Sequence, residues 1–214
     1  IVLGKDVTPE MPEWDIFLKE VRKEITTKCG QKCTAIRRIF VPADKIEDVQ
    51  IALGKYLSQT TIGNPLNEKV RMGSLAGESQ RVEVKAQVQK LLASSQLIYG
   101  SLDSVQVIDA DAQKGAFMSP LLLLNETPFQ SKEVHEVEAF GPVSTLMPYD
   151  HVEDAIQLAK MGKGSLVSSI VTADKNIAKS YVLGAGMYHG RILVLNSDCA
   201  KESTGHGSPL PLLV

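Results

Sequence analysis

The sequence predicts a three-layer α/β/α fold built on a mostly parallel sheet. Apolar stripes at helical spacing alternate along the chain with short β-rich runs, which implies right-handed crossovers and a sheet covered on both faces. Neither a low-complexity linker nor an internal repeat divides the pattern. At 214 residues the chain is long enough for one sizeable core, so a single domain over residues 1–214 is expected.

Each element follows from local pattern. From Glu13 to about Thr27, Trp14, Phe17, Val21 and Ile25 recur on one helical face with charges opposite, and Gly30 stops the helix. Ile39-Phe40-Val41 is a short β-rich run. Pro42 and Asp44 start a second helix whose Ile46, Val49, Leu53 and Leu57 form a core-packing stripe. Gly, Asn and Pro mark residues 61–77 as a connection, and Glu78 to Ser94 is helical again, with Val82, Val88, Leu91 and Leu92 apolar. Strands are expected at Gln96–Tyr99, Phe117–Leu124 and Val143–Pro148. A helix over Val152–Met161, a strand over Ser165–Thr172, a helix from about Lys175 to Tyr188 and a strand at Ile192–Leu195 complete the chain.

Composition narrows the function classes. Hydrophobic content of 43% with 22% charged residues is ordinary for a globular chain, and a net charge of −2 gives no electrostatic case for nucleic acid or an anionic membrane. The longest apolar candidate, Pro120 to Leu124, is strand-sized against the ~20 residues needed to cross a bilayer, so no membrane is expected. Three cysteines, an odd number, argue against a disulfide framework and for a reducing compartment, with cytoplasm the expected location. Cys29 and Cys33 have C-x3-C spacing, but no histidine pair completes a ligand set, so no metal is assigned. The chain begins at Ile1, shows no signal-peptide pattern and ends in Pro209-Leu210-Pro211-Leu212-Leu213-Val214, which reads as a domain cut from a longer polypeptide.

The chemistry concentrates in Lys28-Cys29-Gly30-Gln31-Lys32-Cys33-Thr34-Ala35-Ile36-Arg37-Arg38. Cys33 falls on an irregular, Gly-containing turn just after an amphipathic helix, whereas a packing thiol usually lies inside a periodic apolar segment. Lys28, Lys32, Arg37 and Arg38 bracket it, and positive charge favours the thiolate that attacks carbon. These residues alone leave a catalytic and an inert thiol both open. Gly184-x-Gly186 with Gly190 mimics a phosphate loop but follows a helix instead of preceding one, and Gly190 is expected to end that helix. His189 and the surface candidates His135 and His151 lack a neighbouring motif and read as solvated or packing residues. His206, in Ser203-Thr204-Gly205-His206-Gly207-Ser208-Pro209, marks either a tight turn or a close backbone approach to a ligand.

Gly30-Gln31-x-Cys33, followed by Arg38 and Ile39-Phe40-Val41 and far downstream by Glu138-x-Phe140-Gly141-Pro142-Val143, resembles the paired signatures of the aldehyde dehydrogenase superfamily. The resemblance implies that Cys33 attacks an aldehyde carbon to form a thiohemiacetal. Hydride then passes to NADP or NAD, and the acyl group is released from the resulting thioester. The Cys33 N–H would help hold the oxyanion. Glu138 falls where the family's Glu contacts the nicotinamide ribose, and Phe140 where an aromatic ring sits beside the nicotinamide. Without the Phe-Gly-Pro-Val sequence, Glu138 would read as a solvated carboxylate in the acidic run Glu133, Glu136, Glu138.

The same two segments, with Lys201 to Pro211, are similar to one branch in particular: the aldehyde dehydrogenase half of bifunctional phenylacetate-degradation proteins, which oxidises a CoA-bound semialdehyde after ring opening. The semialdehyde dehydrogenase of aerobic benzoyl-CoA degradation is equally similar. Both imply NADP more than NAD, and a homodimer or larger oligomer. By resemblance Ile1-Val2-Leu3 is the strand that follows the family's general-base Glu, which places that base, the oxyanion Asn and the NADP-binding domain upstream. It places any hydratase domain beyond Val214, so the isolated chain is expected to be inactive. Two other readings stay open: a cysteine hydrolase or acyltransferase with His206 or His189 about 3 Å from the thiol, and a non-catalytic packing or dimerisation module.

Overall fold

The computed structural model describes residues 1–201, 203 and 205–207. Seven strands form one sheet: β1 (Val2–Leu3), β2 (Arg38–Pro42), β3 (Gln96–Tyr99), β4 (Leu121–Leu124), β5 (Val143–Tyr149), β6 (Ser165–Val171) and β7 (His189–Leu195), in the order β3-β4-β5-β2-β1-β6-β7. Only β3 runs antiparallel, on the edge beside β4; the other pairings are parallel. The named helices are α1 (Pro12–Thr26), α2 (Ile46–Ser58), α3 (Glu78–Leu91), α4 (Glu133–Glu136), α5 (Val152–Met161) and α6 (Lys175–Ala185).

Period-two alternation along the strands divides the core into two layers. Leu3, Ile39, Val41, Leu122, Leu146 and Val171 face α1 and α2, where they meet Phe17, Val21, Val49 and Leu53. Their neighbours Val2, Phe40, Leu121, Leu123, Met147 and Ile170 face the opposite way, towards Val84 and Val88 of α3, Leu158 of α5 and Tyr181 of α6. The three-layer α/β/α expectation is therefore met.

Several details differ from the sequence reading. The strand expected over Phe117–Leu124 begins only at Leu121, after Pro120, whose nitrogen has no hydrogen to give a ladder. Gly190 does not end a helix: α6 stops at Ala185, a 3-10 turn covers Gly186–Tyr188, and Gly190 lies inside β7, where a Cβ would come within 2.9 Å of the Leu166 carbonyl oxygen. The turn after α1 is also more contorted than one glycine implies, since Lys28, Cys29 and Gly30 take φ of 53°, 54° and 70° in succession.

Because β5, β2, β6 and β7 are parallel, the segments that enter them gather at one end of the sheet. The segments before β5 and β2 carry Phe140 and Cys33, and Leu166 and Gly190 are the second residues of β6 and β7 at the same end.

Candidate active site

Cys33 and Thr34 are the central residues of a turn closed by the Ala35 N–H donating to the Lys32 carbonyl at 3.1 Å. Cys33 is exposed, and among the described residues its N–H has no backbone acceptor. Four residues earlier, Cys29 is buried, and burial pushes its thiol up to about 12. The fold thus separates a reachable thiol from one held protonated.

The two sequence motifs meet backbone to backbone. A Cβ on Gly30 would lie 2.1 Å from the Gly141 carbonyl oxygen, so the cysteine turn can seat against Phe140-Gly141-Pro142 only with glycine at position 30. Gly141 in turn lies against Val84 of α3. Gln31 pins the turn from the other side, its Oε1 accepting from the Ala76 N–H at 2.8 Å. At the start of the strands, the Thr145 N–H donates to the Arg37 carbonyl at 2.8 Å, and Ser144 Oγ donates to the Ile36 carbonyl.

A broad groove of about 840 Å³ opens over the turn, and Cys33, Phe140 and Leu166 lie on its walls. Phe140 is 43% exposed with φ of 52°, an uncommon conformation for an aromatic residue, which sets its ring at the groove wall. Among the described residues lining the groove there is no carboxylate and no histidine; Lys28, Lys32 and Arg191 are its charged members. Glu138 lies next door, in a small crevice that shares Lys32 and Phe140 with the groove. Its half-exposed carboxylate faces Arg37 Nε at 3.8 Å. An acceptor carboxylate beside an exposed aromatic ring is a set that fits a sugar hydroxyl next to a flat heterocycle.

The cationic bracket around Cys33 is only partly realised. Lys32 Nζ is paired with Glu24 at 2.8 Å, and Arg37 faces Glu138. Arg38 points into the core. Its guanidinium donates to the carbonyls of Leu158 at 2.7 Å and Ala159 at 3.2 Å, near the C-terminus of α5, and to His135 Nδ1 at 3.0 Å. Burial foremost, with Arg37 adding, lowers its pKa to about 10. With Arg37 facing Glu138 and Arg38 buried, the two do not both flank the thiol.

The histidines also settle into place. His135 is no surface residue: it is 3% exposed, held between Arg38 and the Pro128 carbonyl, which its Nε2 meets at 2.8 Å. His151 precedes α5, where its N–H donates to Asp154 Oδ2 at 2.8 Å. His189 Nδ1 lies 2.7 Å from Ser165 Oγ, and the buried His206 Nδ1 lies 2.8 Å from Ser169 Oγ. Among the described residues neither ring hydrogen-bonds Cys33, so the cysteine hydrolase geometry is not formed. Glu202, Thr204 and Ser208 to Pro211 of the third motif lie outside the described residues.

A model of the aldehyde dehydrogenase family matches residues 10–190. The chain is 38% identical over 210 residues to a protein of Aromatoleum evansii named 3,4-dehydroadipyl-CoA semialdehyde dehydrogenase, covering 98% of this chain and 41% of that protein. It is 45% identical over 145 residues to Protein MaoC of Klebsiella aerogenes, covering 67% of this chain and 41% of that protein. The chain thus spans about two fifths of the length of these relatives. Its fold is similar to that of succinic semialdehyde dehydrogenase from Streptococcus pyogenes, solved with NADP+, at a TM-score of 0.76 and 19% identity over 91% of this chain and 39% of that one. No helix among the described residues is long and apolar enough to cross a membrane.

Proposed function

The chain belongs to the aldehyde dehydrogenase family, and from that premise we propose that it is the nucleophile-bearing catalytic domain of an enzyme that oxidises a CoA-linked semialdehyde to the acid. The observation that carries this reading is the contact between Gly30 and Gly141, which sets the exposed Cys33 and the Phe140 ring on one groove. In this reading Cys33 Sγ, as thiolate, adds to the carbonyl carbon, and the carbonyl electron pair moves to oxygen. The Cys33 N–H, which has no backbone acceptor among the described residues, donates to that oxyanion. Glu138 holds a ribose hydroxyl and Phe140 packs beside the nicotinamide. NADP, when bound, supplies a hydride acceptor, with NAD the alternative. Among the described residues lining the groove there is no carboxylate or histidine to activate water for thioester hydrolysis; in this reading that base belongs, with a dinucleotide domain, to a longer polypeptide.

The relative named for a CoA semialdehyde supports the substrate class, and the motif resemblance supports a reaction in phenylacetate degradation, with benzoyl-CoA degradation the alternative. A cytoplasmic location and a homodimer or larger assembly belong to the same proposal. Val182, Leu183 and Met187, exposed on and beyond α6, are apolar surface that self-association would cover. The test is reduction of NADP and of NAD by the full polypeptide, with a CoA-linked semialdehyde and with a simple aldehyde lacking CoA. Faster NADPH formation with the CoA-linked substrate supports the reading. No aldehyde-dependent reduction of either cofactor overturns it.

A further inference from the structure

The nucleophile's two chain neighbours are both tied to the same structure beneath them. Lys32, preceding Cys33, turns down to meet Glu24 of α1, with Nζ 2.8 Å from Oε2. Glu24 is fully buried and the Lys32 side chain is 14% exposed, so the pair is almost sealed from water. Among the described residues Glu24 Oε1 is buried without a hydrogen-bond partner. Thr34, following Cys33, donates from Oγ1 to the Gly207 carbonyl at 3.2 Å. Gly207 closes the assembly from outside: a Cβ there would lie 2.3 Å from Glu24 Oε2 and 2.6 Å from Lys32 Nζ, so a side chain at this position would have to push the pair aside. One turn earlier on α1, Glu20 Oε2 accepts from the His206 N–H at 3.2 Å, which fastens that backbone to the same helix.

A buried ion pair is a poor stabiliser, because desolvating both charges offsets their attraction, and replacement by apolar groups is often neutral. What such a pair does supply is a fixed geometry for the chain that bears it. Here that chain is the residue next to the thiol. The charged groups lining the groove with Cys33 are Lys28, Lys32 and Arg191, all cationic, so the place where the Lys32 ammonium is held also sets part of the field at sulfur.

We propose that Glu24 is a positioning residue: through its buried pair with Lys32, closed over by Gly207, it fixes the turn that presents Cys33 and holds the Lys32 ammonium off the thiol. The proposal rests on the reading of Cys33 as the aldehyde nucleophile, but its first readout does not.

That readout is the rate of Cys33 alkylation by iodoacetamide across pH, followed by peptide mass mapping in the full polypeptide. In Glu24→Gln the Lys32 charge is released towards the thiol, and the alkylation midpoint moves to lower pH. In Lys32→Met the cation is gone, and the midpoint moves to higher pH. Lys32→Arg keeps the pair and stays near the parent. General loosening of the fold would move both disruptive variants the same way. In turnover, both lose about 10- to 100-fold in kcat with little change in KM, as expected for a misplaced nucleophile. If a single variant fails to fold, Glu24→Gln/Lys32→Met, which buries no unpaired charge, replaces it and is expected to fold with the same kcat loss. Midpoints that move together, or parental kcat in the double variant, overturn the proposal. Cys33→Ser tests the nucleophile separately: if it retains aldehyde oxidation while the midpoints still move in opposite directions, the functional reading fails and the positioning device stands.

Discussion

Replacing Gly30 with Ala should separate the two halves of the site. At φ of +70° an added Cβ costs ~1–2 kcal/mol of backbone strain, a cost that Lys28 and Cys29 already bear at φ of 53° and 54°. The larger effect is steric. The new carbon would lie 2.1 Å from the Gly141 oxygen, 2.5 Å from its carbonyl carbon and 2.8 Å from the Pro142 nitrogen, all backbone atoms that cannot rotate away. Overpacking of this kind costs ~1–3 kcal/mol. Together these come to roughly 2–5 kcal/mol, or about 4–20 °C in Tm for a domain of this size. Because the chain must part at this contact, Cys33 moves relative to Phe140, and turnover should fall by about 10²-fold even below the melting range. Gly73→Ala is the control, since a Cβ there meets nothing within 4 Å. Differential scanning calorimetry and single-turnover kinetics on both variants decide the matter. A Gly30→Ala protein that melts and turns over like Gly73→Ala would refute the reasoning.

Iodoacetamide near neutral pH should label Cys33 ahead of the buried Cys29 and the half-buried Cys199; preferential labelling of Cys29 would contradict the site. Glu138→Gln should raise KM for the nicotinamide cofactor while stability changes by less than ~0.5 kcal/mol, because the Glu138 carboxylate is solvent-exposed and its Arg37 contact is long at 3.8 Å; a large drop in Tm with unchanged kinetics would make Glu138 structural. Arg38→Met should cost ~2–4 kcal/mol, since it strips buried donors from the Leu158 and Ala159 carbonyls; an unchanged urea midpoint would contradict this. Burial is the leading cause that lowers the pKa of His135 below 6.5, takes His189 to about 4 and takes His206 well below 6.5. Below pH 6.5 the unfolded chain therefore binds protons that these rings refuse in the fold, and stability should fall as pH drops from about 6.5 towards 4. Urea midpoints at pH 7 and pH 5 check the sign, and a flat or rising trend would contradict it.

Much of the fold is legible in sequence because its elements are periodic. Val49, Leu53 and Leu57 repeat at helical spacing and are buried in α2, and α5 spans Val152–Met161 as the pattern implies. Legibility fails where a neighbour distant in sequence decides the outcome. Nothing near Arg38 in the chain announces that its guanidinium is claimed by carbonyls of Leu158 and Ala159 and by the ring of His135. The available signal is that Arg38 adjoins the apolar run Ile39-Phe40-Val41, where a strand enters the core and takes its first side chain with it. The Glu24–Lys32 pair is hidden for a related reason: Glu24, seven residues after Phe17, sits on the flank of the buried stripe of α1, and nothing nearby in sequence shows that the turn folds back to pair with it. Gly190 looks like a helix stop in sequence, but it lies in β7, where its Cα hydrogen side faces the Leu166 carbonyl of the neighbouring strand at a distance a Cβ would crowd.

The central claim is that Cys33 forms the covalent bond to the substrate carbonyl carbon. Its most direct test is rapid acid quenching of the full polypeptide during turnover with a CoA-linked semialdehyde and NADP, followed by peptide mass spectrometry. An acyl mass on the peptide bearing Cys33, absent from Cys33→Ser, is the predicted result. An acyl mass on Cys29 or Cys199, or undiminished oxidation by Cys33→Ser, would contradict the account.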